Sequence, residues 1–129
     1  MIPEDFLEFL KVLEELRERS SQGWIIVVEG AKDVASLKEL GVENVRVLRS
    51  YSEAAELIGE NVIVLTDFDR EGERKAKRLR EVLINADFEL RHRLFCRVKK
   101  EVTKVEELSD FVRKYERNIL RTTFYHADR

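Results

Sequence analysis

A single cysteine, Cys96, stands in 129 residues, so no disulfide can close within the chain and a zinc cluster built from its own cysteines is excluded. No apolar run approaches the roughly 20 residues needed to cross a bilayer. The opening stretch Met1-Ile2-Pro3-Glu4-Asp5 lacks the basic start of a secretory signal. The expectation is a cytoplasmic protein with no membrane association. No excess of either charge is present: 24 basic against 26 acidic residues leave a net charge of −2. Overall charge therefore selects no polyanionic partner, and only its distribution could. The two histidines, His92 and His126, have no metal-ligand spacing with each other or with an acid pair, and read as surface or packing residues. Repeats, low-complexity tracts and interdomain linkers are also missing, so 1–129 reads as one domain, large enough to bury a core.

What is present is a run of alternating strand and helix patterns. The one proline, Pro3, opens a first helix over 1–20, with Glu4 and Asp5 in its first turn, Arg17 and Arg19 in its last, and Phe6, Leu10, Leu13 and Leu16 at helical spacing. Ile25-Ile26-Val27-Val28 is a continuous apolar strand, followed by a short helix that Gly41 stops. Val45-Arg46-Val47-Leu48 is a shorter strand, and Ser52 with Glu53 opens a helix running to Gly59. Val62-Ile63-Val64-Leu65 is the third strand. After Glu71 a helix places Gly72, Ala76, Leu79, Leu83 and Ala86 on one side and Arg70, Arg74, Lys77 and Arg78 on the other. Beyond Asp87 we expect a helix over 89–100, a last strand over 102–105 and a closing helix over 106–118; 119–129 has no clear pattern. Strands alternating with helices through short loops imply parallel βαβ units. The expected fold class is α/β, doubly wound and three-layered, with a mainly parallel central sheet of about four strands.

Both long apolar strands release acids at the same relative place. The third ends in Thr66-Asp67-Phe68-Asp69-Arg70-Glu71-Gly72-Glu73, and the first in Glu29-Gly30. If the two strands are neighbours, Glu29, Asp67 and Asp69 share the crevice beyond the carboxyl ends of the sheet. Carboxylates so close resist ionising together unless a cation neutralises them, and hard oxygen donors suit Mg²⁺ or Mn²⁺. The alternative is a polar turn whose acids merely suit a helix N-terminus.

The stretch Ile25-Ile26-Val27-Val28-Glu29-Gly30-Ala31-Lys32-Asp33, followed by Leu65-Thr66-Asp67-Phe68-Asp69-Arg70-Glu71-Gly72-Glu73, resembles the two signature motifs of the Toprim domain. That domain is shared by type IA topoisomerases, bacterial primases, recombination-repair proteins, overcoming-lysogenisation nucleases and a ribosomal-RNA maturase. The resemblance covers roughly the first two-thirds of the chain, with a core over 24–105 and a closing segment over 106–129. It implies a Rossmann-like fold, Mg²⁺ (or Mn²⁺) on Asp67 and Asp69 with Glu71 as a third ligand, and Glu29 as general acid or base or as a further ligand. Gly30, Asp33 and Gly72 are secondary to these.

Nucleic acid is the expected partner, with Lys32, Arg70, Arg74, Lys77, Arg78, Arg91 and Arg93 as contacts; whether it is DNA or RNA is open, as is a protein partner or a second copy of the chain. The basic face of 70–78 could equally be a solvated face. The segment 91–100, with Arg91, Arg93, Arg97, Lys99 and Lys100 and no acid, concentrates positive charge that would attract phosphates. The resemblance favours a Mg²⁺-dependent nuclease. Against it stands a non-catalytic binding module, or a part of a larger topoisomerase- or primase-like assembly.

Overall fold

The computed structural model describes the backbone of residues 1–127 and side chains through Asn118. Three parallel strands, β1 (Ile25–Val28), β2 (Val45–Val47) and β3 (Val62–Val64), form a sheet in the order β2-β1-β3. Around them run α1 (Pro3–Ser21), α2 (Ala31–Glu39), α3 (Tyr51–Ala54), α4 (Arg70–Val82), α5 (Glu89–Phe95) and α6 (Leu108–Ala127). The chain passes from β1 to β2 on one side and returns to β3 on the other side of β1. The connection therefore reverses at the β1/β3 boundary, which is where a doubly wound sheet opens a crevice.

The central strand is apolar throughout because both of its faces are covered. Ile26, Val28, Ile63 and Leu65 join a larger core with Phe6, Phe9, Leu13 and Leu16 of α1, Leu37 of α2, Leu90, Leu94 and Phe95 of α5, and Leu108 and Val112 of α6. The alternate residues Ile25, Val27, Val62 and Val64 pack with Ala54, Leu57, Leu79 and Leu83 on the other face. The result is the expected three-layer α/β arrangement, with one strand fewer than expected. Among the described residues no helix is long and apolar enough to cross a membrane.

The strand expected over 102–105 is the missing one. That segment is a strap: Val102 and Val105 are buried, but its backbone turns to the loop after β3, where Thr103 O accepts from Phe68 N at 2.7 Å and Val105 N donates to Asp67 Oδ1 at 2.9 Å. A 3₁₀ turn, Val105–Glu107, then leads into α6. The helix expected over 89–100 stops at Phe95 and gives way to turns, and the edge of β3 is covered by a single bridge from Ile63 to Asp87. The helix after β2 starts earlier than expected, because Ser50, not Ser52, caps it by accepting from Glu53 N at 3.3 Å. Helix α6 continues to Ala127, through most of the stretch without a pattern; 128 and 129 lie outside the described residues, as do the side chains of Tyr125 and His126.

Gly72 shows how tightly α4 closes on the loop. A Cβ there would lie 1.8 Å from Asp67 O and 2.7 Å from Asp67 C. Helix propensity alone favours alanine over glycine by about 0.5–1 kcal/mol, but overpacking against backbone costs about 1–3 kcal/mol or more. Gly72→Ala is therefore expected to lower stability in urea or thermal melts; an unchanged or raised midpoint would show that the helix does not approach Asp67 this closely.

Candidate functional site

The acids meet because β1 and β3 are neighbours in register, Val27 opposite Val64. Glu29, the first residue past β1, reaches across the boundary: its Oε2 accepts from Asp67 N at 2.8 Å and its Oε1 from Lys75 Nζ at 2.6 Å. Asp67 Oδ1 accepts from Val105 N at 2.9 Å. Asp69 caps α4, with Oδ1 accepting from Gly72 N at 2.7 Å and Oδ2 lying 3.7 Å from Lys104 Nζ. Asp33 sits in the first turn of α2 and folds back, its Oδ2 accepting from Gly30 N at 3.0 Å and Glu29 N at 3.2 Å. Gly30 itself has φ −154°, extended backbone open to any residue, and an added Cβ would meet only Asp33 Oδ2 at 4.0 Å. Neither conformation nor packing against the described residues demands a glycine there.

The loop carrying Asp67 is fixed from below by Arg91. This residue was expected on a basic surface and is instead 5% exposed. Its guanidinium donates to Thr66 O at 3.0 Å, Asp67 O at 2.8 Å and Glu73 Oε2 at 2.8 Å, and lies 5.2 Å from the Phe68 ring centroid. The planar, five-donor fork suits this work, since it satisfies two loop carbonyls and a carboxylate together. A phosphate-binding role for Arg91 is thereby corrected. Two more arginines of the basic segment are engaged, Arg93 with Glu15 at 2.7 Å and Arg97 with Asp5 at 3.3 Å, both acids of α1, while Lys99 and Lys100 are exposed.

The remaining candidates divide by exposure. Glu71 is exposed and bonded to Arg74, whose guanidinium holds its carboxyl below the usual range. That pairing engages both Glu71 oxygens. Arg70, Lys77 and Arg78 are exposed on α4 and form no ion pair among the described residues. Lys32 is exposed along a groove between α2 and α6 that also carries Glu106, Glu107 and Asp110.

Burial pushes the Asp67 carboxyl up to about 6; the Val105 N–H bond opposes this, while Glu29, Asp33 and Asp69 add to it. Asp33 is likewise raised by burial, against the N–H bonds from Gly30 and Glu29. The Lys75 ammonium is held above its usual value by its bond to Glu29. Two lysines thus supply the positive charge at this end of the sheet, Lys75 on Glu29 and Lys104 on Asp69.

Sequence reasoning passed over both. Lys75 had a signal: it stands between Gly72 and Leu79 at helical spacing, on the inward side of an otherwise basic-out helix. Lys104 had none, because its segment was read as a strand.

Among the described residues no group of three or more His, Cys, Asp or Glu is already arranged to hold a metal ion. The donor chemistry nevertheless fits a hard divalent cation. The crowded acids offer oxygen only, and the burial that raises the Asp67 carboxyl, with the charges of Glu29, Asp33 and Asp69 adding to it, is a load that a bound cation would relieve.

A model of the Toprim domain matches residues 24–99. The UPF0292 protein of Archaeoglobus fulgidus is 40% identical over 117 residues, covering 86% of this chain and 94% of its own. The UPF0292 protein of Pyrococcus furiosus is 38% identical over 118 residues, covering 85% and 88%. A solved structure described as a putative protein from Aquifex aeolicus superposes with a TM-score of 0.63 at 28% identity, covering 75% of this chain and 94% of that one.

The Asp67 shift carries a pH signature. A carboxyl raised from 3.8 to about 6 contributes stability that is fully present below pH about 4 and is lost as pH rises through about 6. The shift of about 2 units is worth at most about 3 kcal/mol, and solvent screening at this half-buried position reduces it to roughly 1–2. In metal-free buffer at pH 7, Asp67→Asn should melt roughly 3–8 °C above the wild type, and the gap should close by pH 4. Mg²⁺ should raise the wild-type midpoint and leave the variant unmoved. A gap independent of pH would show that Asp67 is not under this electrostatic load.

Proposed function

This chain belongs to the Toprim family, whose members bind metal and process nucleic acids, and from that premise we propose that it hydrolyses phosphodiester bonds in nucleic acid with the help of Mg²⁺ or Mn²⁺. One observation carries the reading: the 2.8 Å bond from Asp67 N to Glu29 Oε2, which brings the acids of two strand ends into one crevice.

Asp67 and Asp69 would hold the metal, which when bound neutralises charge on the phosphodiester and orients the attacking group. Glu29 is the proton-transfer residue, with one oxygen on the Asp67 backbone and the other on an ammonium that can move to a phosphate. Lys75 and Lys104 balance the acids and meet the negative charge of the substrate. Arg91 keeps the Thr66 and Asp67 carbonyls in place, so Asp67 stays aimed without help from the ligand. The exposed Arg70, Lys77 and Arg78, which form no ion pair among the described residues, extend positive charge away from the acids along α4 and favour that helix over α5 as the track for the phosphate backbone.

A second reading, a nucleic-acid binding module without chemistry, is favoured by the arrangement of the acids. Lysines and backbone N–H groups engage both oxygens of Glu29 and of Asp69 and one oxygen of Asp67, and no three of the acids form a ready metal cluster among the described residues. The two readings separate on Glu29→Gln. For an enzyme, loss of proton transfer should cut metal-dependent cleavage at least about 100-fold. Affinity should stay the same or tighten slightly, because Lys75 loses its partner. Cleavage assays on single-stranded and duplex DNA and on linear and structured RNA, with binding measured in parallel, decide between them. Binding without any cleavage by the wild type would leave the module reading alone.

A further inference from the structure

A pocket of about 380 Å³ opens beside Glu29 on the α3/α4 face of the sheet, and it shares Glu29, Thr66 and Lys75 with the acid site. Its apolar wall is Leu48 and Leu79, its aromatic wall Tyr51, and its cations are Arg49 and Lys75. The Tyr51 ring is backed by the Arg78 guanidinium, 4.4 Å from its centroid. None of this is needed to hold a metal. An aromatic ring backed by a cation, with an aliphatic floor, is a platform for a flat heterocycle. Cations beside the acids suit the phosphate attached to it. The volume lies at the small end of ligand pockets, about 300–1,000 Å³, and has room for one such ring system rather than a base pair.

We propose that this pocket takes one unstacked nucleobase next to the phosphate being processed, so that the substrate is a single strand or a frayed end and not an intact duplex. The base lies against Tyr51, with Leu48 and Leu79 beneath it, and its phosphate points past Lys75 towards Glu29 and Asp67. In a duplex the same base would first have to leave its stack and its pair, which costs least where it has neither. The proposal rests on the reading that the acid cluster is where the phosphodiester sits, and it is tested by binding alone.

Fluorescence anisotropy with Ca²⁺ in place of Mg²⁺, on strands recovered intact, compares a short single strand with its blunt duplex. It then compares single strands in which one abasic site is moved along the sequence. The single strand should bind at least about tenfold more tightly than the duplex. One abasic position should weaken wild-type binding roughly tenfold, within the range for loss of one base–aromatic stack. At that position Tyr51→Ala should lose less than twofold. Leu48→Trp, which fills the pocket and leaves Tyr51 in place, should weaken the intact strand by the same roughly tenfold factor. Equal affinity for the duplex, or indifference of the wild type to every abasic position, would overturn the pocket and leave the hydrolysis reading standing. The expected binding pattern with no cleavage in Mg²⁺ or Mn²⁺ would sink hydrolysis and keep the pocket.

Discussion

Carboxylates at the ends of neighbouring parallel strands repel one another, and the end of this sheet is built around that fact. Two such charges about 4 Å apart interact by roughly 4 kcal/mol at the effective dielectric of a protein surface, and burial adds to the strain on Asp67. The surrounding elements answer with three kinds of positive partner. Backbone N–H groups from Asp67, Val105 and Gly72 point at Glu29, Asp67 and Asp69 in turn. Ammonium groups arrive from α4 and from the strap before α6. The Arg91 guanidinium holds the loop by its carbonyls and pairs with Glu73, leaving the carboxylates of Glu29, Asp67 and Asp69 to other partners.

These devices come from parts of the chain far apart in sequence. Lys75 is 46 residues from Glu29, and Val105 is 38 from Asp67. The site is therefore a product of the whole fold, although two short motifs supply its acids. It also explains why the 102–105 segment forgoes the sheet: a strand there would have used its N–H groups in a ladder and left Asp67 without its Val105 bond.

The strands, the three layers and the meeting of Glu29 with Asp67 could be read in advance because each follows from one strong local signal. An unbroken apolar run marks a strand covered on both faces, and the residue that ends it stands at the carboxyl end of the sheet. The inward stripe Gly72, Ala76 and Leu79 was equally plain. What could not be read was direction. A basic residue in a helix looks the same in sequence whether it faces solvent, as Arg78 does, or is buried in the loop, as Arg91 is. Val102 and Val105 are both buried, and two valines this close together read in sequence as a strand although they serve a strap. Gly72 was legible as a member of an apolar stripe, whereas its approach to the Asp67 carbonyl depends on a loop geometry that no periodicity encodes.

The larger core has a consequence for how this unit could be excised. The matched region, 24–99, holds the strands and the acids, but Phe6, Phe9, Leu13 and Leu16 before it and Leu108 and Val112 after it cover the face made by Ile26, Val28, Ile63 and Leu65. Each large side chain of that cover is worth about 1.5–3 kcal/mol of burial, so together they are comparable to the whole net stability of an ordinary domain. The unit recognised by its motifs and the unit that folds are different lengths of chain. A fragment trimmed to the motifs would keep the acids of the site and lose a large part of the layer that covers the sheet, along with the Val105 and Lys104 partners those acids rely on. Grafting this chemistry onto another scaffold would mean moving the two flanking helices with it.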